Sequence, residues 1–110
     1  MYYVSKRLEI SAAHRLELDY ESKCTCIHGH NWIVTVHCRT KQLNDAGMVT
    51  DFTHIKQNIS DKLDHKLIND VLPFNPTAEN MARWICENVP NCYRVDVQES
   101  EGNVASYEID

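Results

Sequence analysis

The chain has 110 residues, of which 43% are hydrophobic and 25% charged, with a formal charge of −5. That size and composition suit one globular domain spanning 1–110, with a single modest core and no room for two. The acidic balance excludes a protein that collects nucleic-acid phosphates on a basic face. Met1–Arg7 has no signal-type apolar run and no stretch reaches the roughly 20 apolar residues of a membrane span, so a cytoplasmic protein is expected.

The first predicted element alternates. Val4, Leu8, Ile10 and Ala12 share one parity with His14, while Tyr3, Ser5, Arg7, Glu9 and Ser11 take the other, as in a half-buried strand. The imidazole of His14 therefore points the same way as the core and requires a partner. From Leu16 to Cys26 the charged and polar residues read as a loop. A second strand then sets His28, His30, Trp32, Val34, Val36 and Cys38 on one face.

Turn residues occupy Asn44–Gly47, after which Thr50 or Asp51 offers an N-cap for a helix with Phe52, Ile55, Ile59 and Leu63 at helical spacing. A second helix follows Pro76 with Thr77 as its cap, a stripe of Met81, Trp84 and Ile85, and a stop at Pro90. Finally Tyr93, Val95, Val97 and Glu99 alternate into a turn at Glu101–Asn103, and Val104–Ile109 returns as a hairpin. The order is ββααββ, with no internal repeat.

His14, His28 and His30 are three nitrogen donors on adjacent inward-facing strand positions. Three imidazoles leave a fourth coordination position for water or substrate oxygen, the pattern of a catalytic rather than a structural zinc. A closed set of Cys24, Cys26, His28 and His30 is the rival. Ligands strung along extended chain would lie on a line about 20 Å long and could not surround one ion without a sharp loop. His37 and His54 read as solvated surface residues. The five cysteines (Cys24, Cys26, Cys38, Cys86, Cys92) are an odd set without a disulfide framework, and Cys26, Cys38, Cys86 and Cys92 read as small buried thiols. Glu99 continues the inward parity of Val95 and Val97, where a carboxylate needs paired donors unless the strand is already leaving the core. Beside Asp64, His65 reads on residues alone as a favourable helix C-terminal histidine.

Cys24-Thr25-Cys26-Ile27-His28-Gly29-His30 resembles the Cys-x3-His-Gly-His motif of the 6-pyruvoyltetrahydropterin synthase family, in the spacing of its 6-carboxytetrahydropterin-forming branch of queuosine biosynthesis. Ser11–His14, Gly47–Phe52, Leu63–Asn69, Pro76–Asn80 and Val97–Glu99 are similar to further blocks of that family, and Ser100 departs from its usual threonine. The resemblance implies the α+β tunnelling fold: a four-stranded antiparallel sheet with two helices on one face, assembled into an oligomeric barrel, commonly a hexamer, with active sites between subunits. It implies Zn2+ on His14, His28 and His30, Cys24 as proton acceptor, Asp64 and His65 as a second proton-transfer pair, and Glu99 as the pterin anchor. The implied activity is a lyase acting on 7,8-dihydroneopterin triphosphate to give a 6-carboxy product. A pyruvoyl-forming synthase, a zinc-dependent hydrolase and a non-catalytic pterin-binding module are the alternatives.

Overall fold

Two long alternating segments form the strands β1 (Tyr2–His14) and β2 (His28–Thr40), and the two helical patterns form α1 (Phe52–Leu63) and α2 (Ala78–Asn88). The hairpin β3 (Cys92–Ser100) and β4 (Asn103–Glu108) completes the chain in this computed structural model, which describes residues 1–110. Short 3-10 turns occupy Lys23–Thr25 and Ile68–Asp70. No helix is long and apolar enough to cross a membrane.

The strands form one antiparallel sheet in the order β1-β2-β3-β4. The register sets Ile10 opposite Trp32, Ala12 opposite His30 and His14 opposite His28. Because side chains alternate, this register puts Leu8, Ile10, Trp32, Val34, Val36, Val95 and Val97 on one buried face. A slip of one residue would turn them all to the other side, so burial of the face fixes the positions of the histidines as well.

Both helices cover that face, α1 beside β1 and α2 over β3 and β4. They contribute Ile55, Ile59 and Leu63 from one, and Met81, Ala82, Ile85 and Cys86 from the other. Of the two caps available to α1, Asp51 is used, its carboxylate accepting the Thr53 N–H at 2.8 Å. Thr77 caps α2 through the Asn80 N–H at 3.1 Å. Each cap satisfies an orphan amide and stabilises the helix by about 1 kcal/mol. Trp84 is only half-buried, and the Lys62 ammonium lies 5.6 Å from its ring centroid.

The end of α1 departs from a simple helix C-terminus. Helical geometry stops at Leu63, and His65 takes a left-handed conformation with φ of 59°. The chain then returns along the free edge of β1: the His65 N–H donates to Ser11 O at 2.6 Å and the Ala13 N–H to Lys66 O at 3.0 Å. This segment covers the histidine end of an edge that would otherwise present unpaired amides.

On the helix-free face, Asp96 accepts from Arg94 Nε at 3.0 Å and lies 2.8 Å from His37 Nε2, with the Ser106 hydroxyl also donating to it. His37 is therefore half-buried in a polar network rather than freely solvated, because antiparallel pairing brings Asp96 diagonally across from it. Burial pushes the Asp96 carboxyl up, but the hydrogen bonds from Ser106, His37 and Arg94 outweigh it and hold the group below the usual carboxylate range. The folded state thus prefers the ionised form, and the unfolded chain takes up the proton first as pH falls. The network's contribution is expected to be complete above the unfolded carboxylate pKa near about 4 and to fade below it. Urea midpoints measured between about pH 5 and 3 should fall more steeply for the native protein than for Asp96→Asn; equal slopes would contradict this account.

Candidate metal centre

The register brings three rings to one end of the buried sheet face. The ligand atoms of His14, His28 and His30 all lie within 4.8 Å of one another. Ring centroids are 4.6 Å apart for His14 and His28, 5.2 Å for His14 and His30, and 4.9 Å for His28 and His30. The rings are steeply inclined to one another, so they converge on a point instead of stacking.

Backbone carbonyls set the tautomers of two of them. His14 Nδ1 is 2.8 Å from Pro76 O, and His28 Nδ1 is 2.7 Å from Cys26 O. A carbonyl only accepts, so in both rings Nδ1 carries the proton and Nε2 presents its lone pair. A ligating histidine ordinarily anchors its second nitrogen in this way. His14 Nε2 and His30 Nε2 are both buried without a hydrogen-bond partner. Buried polar atoms are rarely left unpaired, so two at the focus of a three-imidazole cluster suit a cation. The donor set is compatible with zinc.

Electrostatics favour the metal-binding protonation state. Burial pushes His14 down from its ordinary value, against the Pro76 hydrogen bond, and His28 pushes it further the same way. Burial also lowers His30, opposed by the negative charge of Glu99. Neutral imidazoles are the form a metal requires.

Other side chains complete the surroundings. Trp32 is fully buried between His14 and His30, with ring centroids at 4.9 and 5.1 Å, and donates its indole N–H to Ala12 O at 3.1 Å. It forms an apolar wall for the two rings. Glu99 Oε1 lies 3.3 Å from His30 Nε2, in ion-pair range but without the geometry of a hydrogen bond, so the nitrogen stays unsatisfied and the inward parity expected for Glu99 carries through despite the register shift between Gln98 and Ser100. Neither Cys24 nor Cys26 joins the imidazole cluster, so the closed two-cysteine site does not form.

Cys24 is half-buried in the 3-10 turn, which Ser22 caps by accepting the Cys24 N–H at 3.2 Å. Cys26 is exposed, contrary to the expectation of a buried thiol, because the chain has not yet entered β2. Cys38, Cys86 and Cys92 are buried as expected, and burial contributes to pushing the Cys86 thiol up to about 12. His54 is exposed on α1, as expected.

Asp64 and His65 stand on the edge of β1 and are not members of the three-imidazole cluster. Asp64 Oδ1 accepts the Ser11 N–H at 2.8 Å and is 3.2 Å from His65 Nδ1, so the adjacent residues do pair. The His65 side chain is 81% exposed. It borders an open cleft of about 520 Å³ together with Ser11, His30, Asn31 and Lys66.

Sequence reasoning missed Trp32 as a wall of the site, although its parity with His28 and His30 carries that information. The Pro76 carbonyl had no detectable signal, since it is a backbone atom brought from 62 residues away.

The fold and the cluster together define an α+β protein whose antiparallel sheet carries a three-imidazole site under two helices. Comparison with known proteins refines that class. The model of the family described as 6-pyruvoyl tetrahydropterin synthase matches residues 3–110, and the chain belongs to this family of pterin-synthase enzymes. It is 32% identical to the 6-carboxy-5,6,7,8-tetrahydropterin synthase of Synechocystis, over 97% of this chain and 93% of that one. It is also 32% identical to the 6-pyruvoyl tetrahydrobiopterin synthase of Dictyostelium discoideum, over 94% and 93% of the two chains. The structure of Caenorhabditis elegans 6-pyruvoyl tetrahydropterin synthase superposes with a TM-score of 0.76 at 27% identity, covering 99% of this chain and 96% of that one. The tunnelling fold expected from the resemblance is thereby borne out.

Proposed function

We propose that the protein is a zinc-dependent lyase converting 7,8-dihydroneopterin triphosphate to 6-carboxy-5,6,7,8-tetrahydropterin, with release of acetaldehyde and triphosphate, in queuosine (7-deazaguanine) biosynthesis. The observation that carries this reading is the cluster of His14, His28 and His30 with two orphaned buried nitrogens, in a chain of this family. The name of the Synechocystis relative and the Cys-x3-His spacing from Cys24 to His28 favour the carboxy product.

His14, His28 and His30 would hold the ion, which when bound supplies Lewis-acid polarisation of the substrate's side-chain oxygens. The remaining work falls to the chain's own groups. Removing a proton from carbon beside an oxygen function needs a positioned base, and Cys24 is assigned that role. Asp64 orients His65 as the second proton-transfer group, its carboxylate fixing the imidazole tautomer. Glu99 anchors the pterin, its two oxygens matching the exocyclic amine and adjacent ring N–H.

The site works between subunits of a homo-oligomer, a hexamer in this reading. Asp64 and His65 stand on the edge of β1, outside the three-imidazole cluster of their own chain, and the outer edge of β4 has no strand neighbour. Edges of this kind are closed most simply by other copies.

Incubation of the zinc-loaded protein with dihydroneopterin triphosphate, followed by mass spectrometry, tests the reading. A 6-carboxy product with one acetaldehyde per turnover is expected. A pyruvoyl product would replace it with the reaction named for the Dictyostelium relative, and bound but unchanged pterin would reduce the protein to a binding module. Substrate hydrolysis that survives loss of Cys24 would point to a zinc hydrolase.

A further inference from the structure

Beyond His14 the sheet ends, yet the chain stays extended for three more residues because two asparagine side chains stand in for a strand. The Arg15 N–H donates to Asn69 Oδ1 at 2.9 Å, and Asn69 Nδ2 donates back to Arg15 O at 2.9 Å. Two residues on, the Glu17 N–H donates to Asn75 Oδ1 at 2.9 Å, and Asn75 Nδ2 to Glu17 O at 3.1 Å. A carboxamide offers an acceptor and a donor much as a neighbouring peptide does, so each amide reproduces one rung of an antiparallel ladder.

Residue alternation sends the intervening Leu16 N–H to the opposite edge, where it donates to Cys24 O at 2.7 Å. The tripeptide Arg15–Glu17 is thus gripped on one side by two amides and on the other grips the turn that carries Cys24. Asn75 is itself locked: its backbone carbonyl accepts from the Thr77 N–H at 2.9 Å and from Asn80 Nδ2 at 2.9 Å. Those bonds enclose Pro76, whose carbonyl sets the tautomer of His14.

We propose that Asn69 and Asn75 are positioning residues of the site: by holding Arg15–Glu17 extended they fix the Cys24 turn against the histidine end of the sheet, and Asn75 also aims the Pro76 carbonyl at His14. This rests on the zinc-and-thiol reading given above. It predicts that near-isosteric changes at two residues outside the imidazole cluster alter thiol behaviour, and at Asn75 metal binding as well.

The test uses Asn69→Asp and Asn75→Asp, which keep the acceptor for the N–H but set a carboxylate oxygen against the carbonyl. Zinc affinity is read by chelator competition, and Cys24 reactivity by iodoacetamide labelling in a Cys26→Ser background resolved by peptide mass. Asn75→Asp is expected to weaken zinc by about tenfold or more, the usual cost of disturbing a ligand's outer partner. In both variants Cys24 labelling should quicken at least about threefold as the turn opens locally. The core variant Ile59→Val, which lowers stability without touching this segment, should leave both readouts within about twofold of the parent protein.

Cys24 rates within about twofold of the parent in both asparagine variants would overturn the proposal. Should Asn75→Asp fail to fold, Asn75→Ser removes both side-chain bonds to Glu17 without adding charge and is read by the same criteria. Neither readout involves a pterin. A parent protein that holds zinc and shows these shifts, yet makes no carboxylated product, would remove the substrate reading and leave the positioning role intact.

Discussion

Replacing Cys24 with alanine is expected to lower turnover by at least about a thousandfold while leaving bound zinc at the level of the unaltered protein. The two halves of that result rest on different observations. The imidazole cluster does not include the thiol, so metal content should not depend on it. Proton abstraction from carbon does depend on a positioned base, and a methyl group offers none. Metal analysis beside steady-state kinetics decides both. Loss of zinc in this variant would revive the closed cysteine site, and survival of turnover would remove Cys24 from the reaction.

The second large effect is expected from His14→Ala, which should reduce zinc to below about a tenth of an equivalent and destabilise the metal-free protein by about 2–4 kcal/mol. His14 is fully buried, and its ring packs against Trp32 and donates to Pro76 O. Truncation therefore leaves a cavity and a buried carbonyl without a donor, in addition to removing a ligand. Urea unfolding in the presence of a chelator isolates the stability term, since the metal can then contribute nothing. His28→Ala offers a contrast: it removes a ligand from a half-buried position, so zinc should fall comparably with a smaller change in metal-free stability. Full zinc retention in His14→Ala would refute the three-imidazole centre.

Much of this site was legible because strand periodicity is strict. Once Leu8, Ile10 and Ala12 must face the core, His14 faces it too; once Trp32, Val34 and Val36 do, so do His28 and His30. The same parity placed Glu99 beside His30 even across a register shift. Periodicity failed where the residue belongs to no regular element. Cys26 lies before β2 begins and is exposed, although its type suggests burial. His37 obeyed the parity but acquired a partner from β3, which the local sequence could not name.

The pairing of Asp64 with His65 shows the same limit. Adjacent side chains ordinarily diverge, and a helical continuation would have made His65 a terminal cation facing the dipole. The left-handed turn at His65 and the backbone bond from Ser11 reverse that outcome, and both depend on α1 ending against the edge of β1.

The sequence by itself determined the element order, the inward direction of three imidazoles and the family blocks in which they stand, because alternation, capping and spacing are local properties of the chain. Tertiary structure decided which backbone carbonyls fix the ring tautomers, which asparagines replace the missing strand beside His14, and on which side of β1 the Asp64–His65 pair comes to rest. Apart from the local bond between Cys26 and His28, those outcomes depend on groups more than fifty residues apart meeting within hydrogen-bond range, as in the 62-residue separation of His14 and Pro76. No periodicity encodes such a meeting, since it follows from how the helices pack on the sheet.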